Sequence, residues 1–130
     1  MKRHLLAAAA VATLAIAGCK ADTSGVPGDL YMDELSTDQV TTFCAWGVQK
    51  QGGGGKHACD WGTQTIMTIE QCQAKAWPHC RLSLFEDCAN SLSGVCDRGP
   101  TSACTSYGTC AVDHPAAGPD AGVDLGDAGG

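Results

Sequence analysis

The residues of this chain with the most evident chemistry are its nine cysteines in 130 residues. Eight of them, Cys44, Cys59, Cys72, Cys80, Cys88, Cys96, Cys104 and Cys110, fall in one continuous stretch. Thiols at this density ligate metal, exchange disulfides or cross-link the fold. Structural zinc sites favour close cysteine pairs, and thiol–disulfide oxidoreductases use C-x-x-C. The chain contains neither C-x-x-C nor the haem-attachment pattern C-x-x-C-H. A zinc set drawn from His57, Cys59, His79 and Cys80 lacks that spacing, so no metal or other cofactor is expected. An even number of cysteines in an exported chain reads as a disulfide framework, here four bridges. Four bridges allow 105 pairings, and spacing alone does not choose among them.

Other candidate chemistry is weak. Gly52-Gly53-Gly54-Gly55-Lys56-His57 resembles a phosphate loop only in part. Lys50 stands where the first glycine belongs, and His57 replaces the hydroxyl residue. Glu86-Asp87 and Asp33-Glu34 are adjacent carboxylates, which point apart on a helix and make no catalytic pair. No serine lies in G-x-S-x-G. Asp113, Asp120, Asp124 and Asp127 carry neither an EF-hand loop nor a calcium-binding repeat. No catalytic residues are assigned, and a non-enzymatic protein is expected. Cys44-Ala-Trp-Gly47 and Cys59-Asp-Trp-Gly62 share the pattern C-x-W-G. With Trp77, their indoles are either aromatic platforms for a glycan or peptide, or packing material in an interior short of aromatics. The net charge of −6 argues against a nucleic-acid partner.

The elements that position these residues follow from capping and periodicity. Leu35 and Val40 occupy hydrophobic-staple positions around a Ser36/Gln39 capping box. Val40, Phe43, Cys44 and Val48 continue at helical spacing, with Gly47 and Gly52–Gly55 expected to end the helix. Residues 56–67 fit a short hairpin or a disulfide-tied loop. A second helix starts at Thr68 with Gln71 as partner, and Pro78 stops it. A third starts at Ser83 with Glu86 as partner and Gly94 beyond its end. Cys72, Cys80, Cys88, Cys96 and Cys104 recur every eight residues, which suggests helix and loop in alternation. Residues 95–112 are expected to hold one helical turn at most. The expected fold is small, disulfide-rich and mainly α, with about three short helices, a Gly-rich loop, a flexible N-terminal tether and a disordered tail. The cysteine-rich helical domain is placed at residues 34–112. Residues 113–130, nearly all Asp, Ala, Gly and Pro, have nothing to form a core.

The N-terminus adds a location. Met1-Lys2-Arg3-His4 precedes an apolar run from Leu5 to Ala17, the layout of a signal peptide over residues 1–18. The run is too short to span a membrane, which takes about 20 apolar residues. Ile16-Ala17-Gly18-Cys19 resembles the lipobox of bacterial lipoproteins. That resemblance implies cleavage between Gly18 and Cys19 and lipid attachment, including palmitate-class acyl chains, at Cys19. Lys20 in place of aspartate then implies the outer membrane of a Gram-negative bacterium. Removing Cys19 from the count also leaves the cysteines even. The mature chain keeps six basic against fourteen acidic residues, a charge of −8. Residues 19–33 read as a lipidated flexible tether, spanning about 20 Å on average.

From Leu35 to about Cys96 the chain is similar to small cysteine-rich lipoproteins of myxobacteria. The matching features are Cys44–Trp46 after a Thr/Asp-rich helix, the glycine-rich loop, the EQC of Glu70–Cys72, FEDCANSL at Phe85–Leu92, and the tail. The resemblance implies lipidation and a secreted fold and carries no functional residues over. The expectation is an exported, membrane-anchored envelope lipoprotein, a structural or binding module with an envelope protein or glycan partner. The alternative is an enzyme inhibitor or small enzyme on the same scaffold, with Gly52–Gly55 presenting a protease-blocking segment.

Overall fold

The computed structural model describes residues 22–117; the expected signal peptide, Gly18, Cys19 and most of the acidic tail lie outside the described residues. A 3-10 turn at Met32–Glu34 leads into α1 (Thr37–Lys50), β1 (Gly55–Cys59), β2 (Gly62–Ile66), α2 (Ile69–Ala74), α3 (Leu82–Ser91) and α4 (Ser102–Asp113). The fold is mainly helical and disulfide-rich, as expected. Its one sheet is an antiparallel hairpin in which Gly55 pairs with Ile66 and Cys59 with Gly62, around the two-residue turn Asp60-Trp61.

Two helix starts form by the mechanism read from sequence. The Ser36 hydroxyl accepts from the Gln39 N–H, and the Gln39 side chain accepts from the Ser36 N–H at 2.9 Å. Thr68 and Gln71 repeat the exchange at α2. Each box satisfies donors that a helix end otherwise leaves orphaned, an effect worth about 1 kcal/mol. The other end of α1 is a Schellman closure. The Gly52 N–H donates to the Gln49 carbonyl and the Gly53 N–H to the Val48 carbonyl. Gly52 sits at φ +101°, a conformation that excludes most side chains. Gly47 does not end the helix but lies within it, where an added Cβ would stand 3.5 Å from the Phe85 ring. That is ordinary van der Waals contact, so Gly47 marks where α1 packs on the Phe85 ring of α3.

Several expectations are corrected. Glu86 does not cap α3, whose N-cap is Arg81 with no side-chain cap. Its buried carboxylate instead accepts from the Ser24 N–H at 2.7 Å and the Ser24 hydroxyl at 2.6 Å. Residues 22–33 are therefore not a free tether. Val26 and Met32 are buried in the core, and the Met32 N–H donates to the Cys80 carbonyl while the Leu82 N–H donates to the Leu30 carbonyl. α2 stops at Ala74, ahead of Pro78, because Lys75 is already extended. α3 stops at Ser91 with Leu92 extended, short of Gly94. Finally, the segment expected to hold one turn forms α4, a 12-residue helix capped by the Thr101 hydroxyl on the Cys104 N–H. It extends through Asp113, one residue past the expected domain limit.

All eight cysteines of the domain pair. Cys44–Cys72 ties α1 to α2, and Cys88–Cys104 ties α3 to α4. Cys80–Cys110 ties the segment before α3 to α4, and Cys59–Cys96 ties the hairpin to the loop after α3. The described core gathers around Phe43, Met32, Leu82, Cys44 and Cys80, all fully buried. Phe43 meets Trp77 and Phe85 edge-on, each at 5.1 Å between ring centroids, and Phe85 meets Tyr107 at 5.4 Å.

Replacing Glu86 by alanine should cost about 2–3 kcal/mol, because it leaves the buried Ser24 groups without their charged acceptor. Denaturant unfolding measures the loss, and hydrogen exchange should show Ser24 opening before the helices. Burial pushes the Tyr107 phenol from 10.0 up to about 12. A raised folded-state value means the neutral phenol's contribution is complete below pH 10 and disappears as pH rises toward 12. Wild-type stability should fall by about 2–3 kcal/mol across that window. Tyr107→Phe should remove this component of the decline when the two unfolding curves are compared from pH 9 to 12.

Candidate functional site

The three indoles meet three different fates. Trp77 precedes Pro78, which favours an extended conformation there. It turns inward, buried against Phe43 and Phe85, and its Nε1 has no hydrogen-bond partner among the described residues. Trp46 is half-buried on α1. Trp61 stands in the hairpin turn and remains 42% exposed. The two C-x-W-G motifs thus take different backbones, one helical and one a strand turn. What they share is a tryptophan two residues from a half-cystine.

Trp61 is exposed but held in place. Its Nε1 donates to the Cys96 carbonyl at 3.0 Å, and Cys96 is bonded to Cys59 at the end of β1. The Arg98 guanidinium lies 4.5 Å from the indole centroid, in cation–π range. The loop carrying Arg98 is organised by Asp97. One carboxylate oxygen accepts from the Ser93 N–H and hydroxyl, the other from the Gly99 N–H. Those donors, led by the Ser93 N–H, hold the Asp97 carboxyl below its ordinary value. The result is a small, fixed aromatic surface with a cation over one face, able to offer its remaining exposed surface to a sugar or planar side chain while an anionic group meets Arg98.

A concavity opens at the glycine turn. It is an open groove of about 620 Å³ lined by Ala45, Val48, Gly53, Thr68 and Ile69, with Glu70 at its edge. Backbone and Thr68 hydrogen bonds hold the Glu70 carboxyl below its ordinary value. The glycine turn itself is pinned by His57, whose Nε2 lies 2.7 Å from the Gly53 carbonyl.

The zinc set drawn from sequence is not assembled, since Cys59 and Cys80 are both consumed in disulfides. A different polar cluster is present. Residues 30–32 run antiparallel to 80–82 through the Tyr31–Arg81 bridge. This brings Asp33 to His79, with His79 Nδ1 at 2.9 and 3.1 Å from the two carboxylate oxygens. Glu34 joins them, so that one ligand atom from each of Asp33, Glu34 and His79 lies within 4.8 Å of the others. Tyr31 stacks on the His79 ring at 4.0 Å with an interplanar angle of 7°. Sequence reasoning separated Asp33 from Glu34 by the α-helical rule, whereas both lie in a 3-10 turn. It had no spacing signal linking them to a histidine 46 positions away. Glu86 and Asp87 do point apart, one buried and the other exposed.

No protein-family model matches the chain, and no curated protein or solved structure is similar to it.

Acrylamide quenching of the intrinsic fluorescence should resolve a most accessible component that Trp61→Phe removes, leaving the emission of half-buried Trp46 and buried Trp77. The same substitution should leave stability within about 1 kcal/mol, because it removes one hydrogen bond and surface contacts without opening a cavity.

Proposed function

We propose that this chain is an exported lipoprotein, anchored through Cys19 to the outer membrane, whose disulfide-bonded domain is a non-enzymatic binding module for an envelope protein or glycan. The observation that carries the binding role is Trp61, an exposed indole fixed by a hydrogen bond and an adjacent disulfide beside Arg98. A rigid aromatic on a cross-linked turn loses little entropy on contact, which favours recognition. The anchor is supported by cysteine arithmetic. Eight of nine cysteines are taken up in four disulfides, and the ninth, Cys19, follows Ile16-Ala17-Gly18. Among the described residues no helix is long and apolar enough to cross a membrane. The disulfides suit an oxidising compartment.

Intact mass of protein from native membranes, without reductant, tests the anchor. The expected species starts at Cys19, carries two or three acyl chains, and is about 8 Da lighter than its fully reduced form. An unlipidated chain would end the anchor reading. Binding is tested separately, by titrating envelope fractions against the fluorescence of wild type and Trp61→Phe. A wild-type change that the variant lacks is expected; equal responses would remove Trp61 from the role.

A further inference from the structure

We propose that Asp33, Glu34 and His79 form a binding site for one divalent transition-metal ion of the zinc class, joining the N-terminal segment to the segment before α3. Three ligand atoms already lie within 4.8 Å of one another, two from the neighbours Asp33 and Glu34 and the third from His79, which the fold brings to them. The nitrogen donor is oriented in advance. Tyr31 stacks on one face of the imidazole, while the main chain carrying the ring is held by the His79 backbone N–H, which donates to the His114 carbonyl at 3.0 Å, and by the Cys80–Cys110 bridge next to it. Asp33 also meets Nδ1 with both oxygens.

Charge favours a cation here. Two carboxylates face one imidazole, and among the described residues no lysine or arginine forms an ion pair with either. The nearby Arg81 guanidinium lies over the Tyr31 ring, 5.8 Å from its centroid. The donor set selects the ion. One imidazole nitrogen with two carboxylate oxygens suits zinc, which takes nitrogen and oxygen ligands at about 2.0–2.2 Å and accepts water as a fourth ligand. Three protein groups are too few for calcium, which prefers six to eight oxygens. The set also lacks the thiolate or thioether that draws copper(I). Drawing the ligands together around zinc takes about 1 Å of movement, within the rotamer freedom of the exposed Glu34 side chain. The ion would cross-link positions that the four disulfides leave unconnected, since no half-cystine lies in residues 22–43.

The test uses tag-free mature protein, stripped with chelator and titrated calorimetrically with zinc chloride. One ion per chain is expected, with a rise in thermal midpoint on loading. Glu34→Gln and His79→Ala should each weaken binding at least tenfold and abolish that rise, whereas His57→Ala and His114→Ala should bind as wild type. Glu34 is exposed and supports no described packing, so its variant separates ligand loss from misfolding. Cobalt(II) loading adds a readout, a visible absorption band absent in Glu34→Gln. No stoichiometric uptake by wild type, or uptake unchanged in Glu34→Gln and His79→Ala, would overturn the proposal. Loss in His114→Ala with retention in Glu34→Gln would do the same.

Discussion

The edge-to-face contact between Phe43 and Phe85 is where two separately cross-linked parts of the molecule meet. Cys44–Cys72 joins α1 to α2. The other three bridges join the hairpin, α3, α4 and their connecting segments. No disulfide passes between these groups. Disulfides chiefly restrict the unfolded chain, so they do not by themselves decide how α1 sits against α3. That choice falls to Phe43, Trp77, Phe85 and Tyr107, four of the chain's seven aromatic residues. Gly47 lies at this contact, beside the Phe85 ring. An interior this poor in large side chains concentrates them at a junction that the cross-links leave open.

Local signals in the sequence proved to be of two kinds. The boxes at Ser36 and Thr68 involve partners three residues apart, and the chemistry that forms them is complete within those residues. Ser83 and Glu86 present the same letters, yet Glu86 serves Ser24, 62 residues away. A carboxylate can satisfy either partner, and only the packing of the N-terminal segment decides between them. That segment looked like a linker because its glycines, proline and small polar residues dominate its composition. Its few apolar residues, Val26, Leu30 and Met32, nonetheless dock on the core. α4 is hidden in the sequence for the converse reason. Its Ser, Thr, Gly and Cys content gives little helix propensity, and two half-cystines hold it against its neighbours.

The functional surfaces were legible to the same uneven degree. Aromatic residues could be singled out by type, but their separation into buried, half-buried and exposed depends on the turn at Asp60-Trp61 and the extended backbone before Pro78. The eight-residue cysteine spacing suggests helix and loop in alternation, and Cys72 and Cys88 do lie on helices with Cys80 and Cys96 in the connections. It did not give the pairing. Asp33, Glu34 and His79 come together only because two short segments align antiparallel through backbone hydrogen bonds, a relation without any signature in side-chain type.

The Ser24–Glu86 contact has a geometric consequence. Because the folded domain already includes Ser24, and Asp22 pairs with Lys50 and accepts from the Asn90 side chain, the chain enters the fold three residues after Cys19. Three residues reach at most about 11 Å. A lipid on Cys19 would therefore moor the domain rather than leash it. The side bearing Asp22, Lys50 and Asn90 would be kept against the headgroups, the protein's orientation on the bilayer would be largely set, and any partner would have to approach from the side facing away.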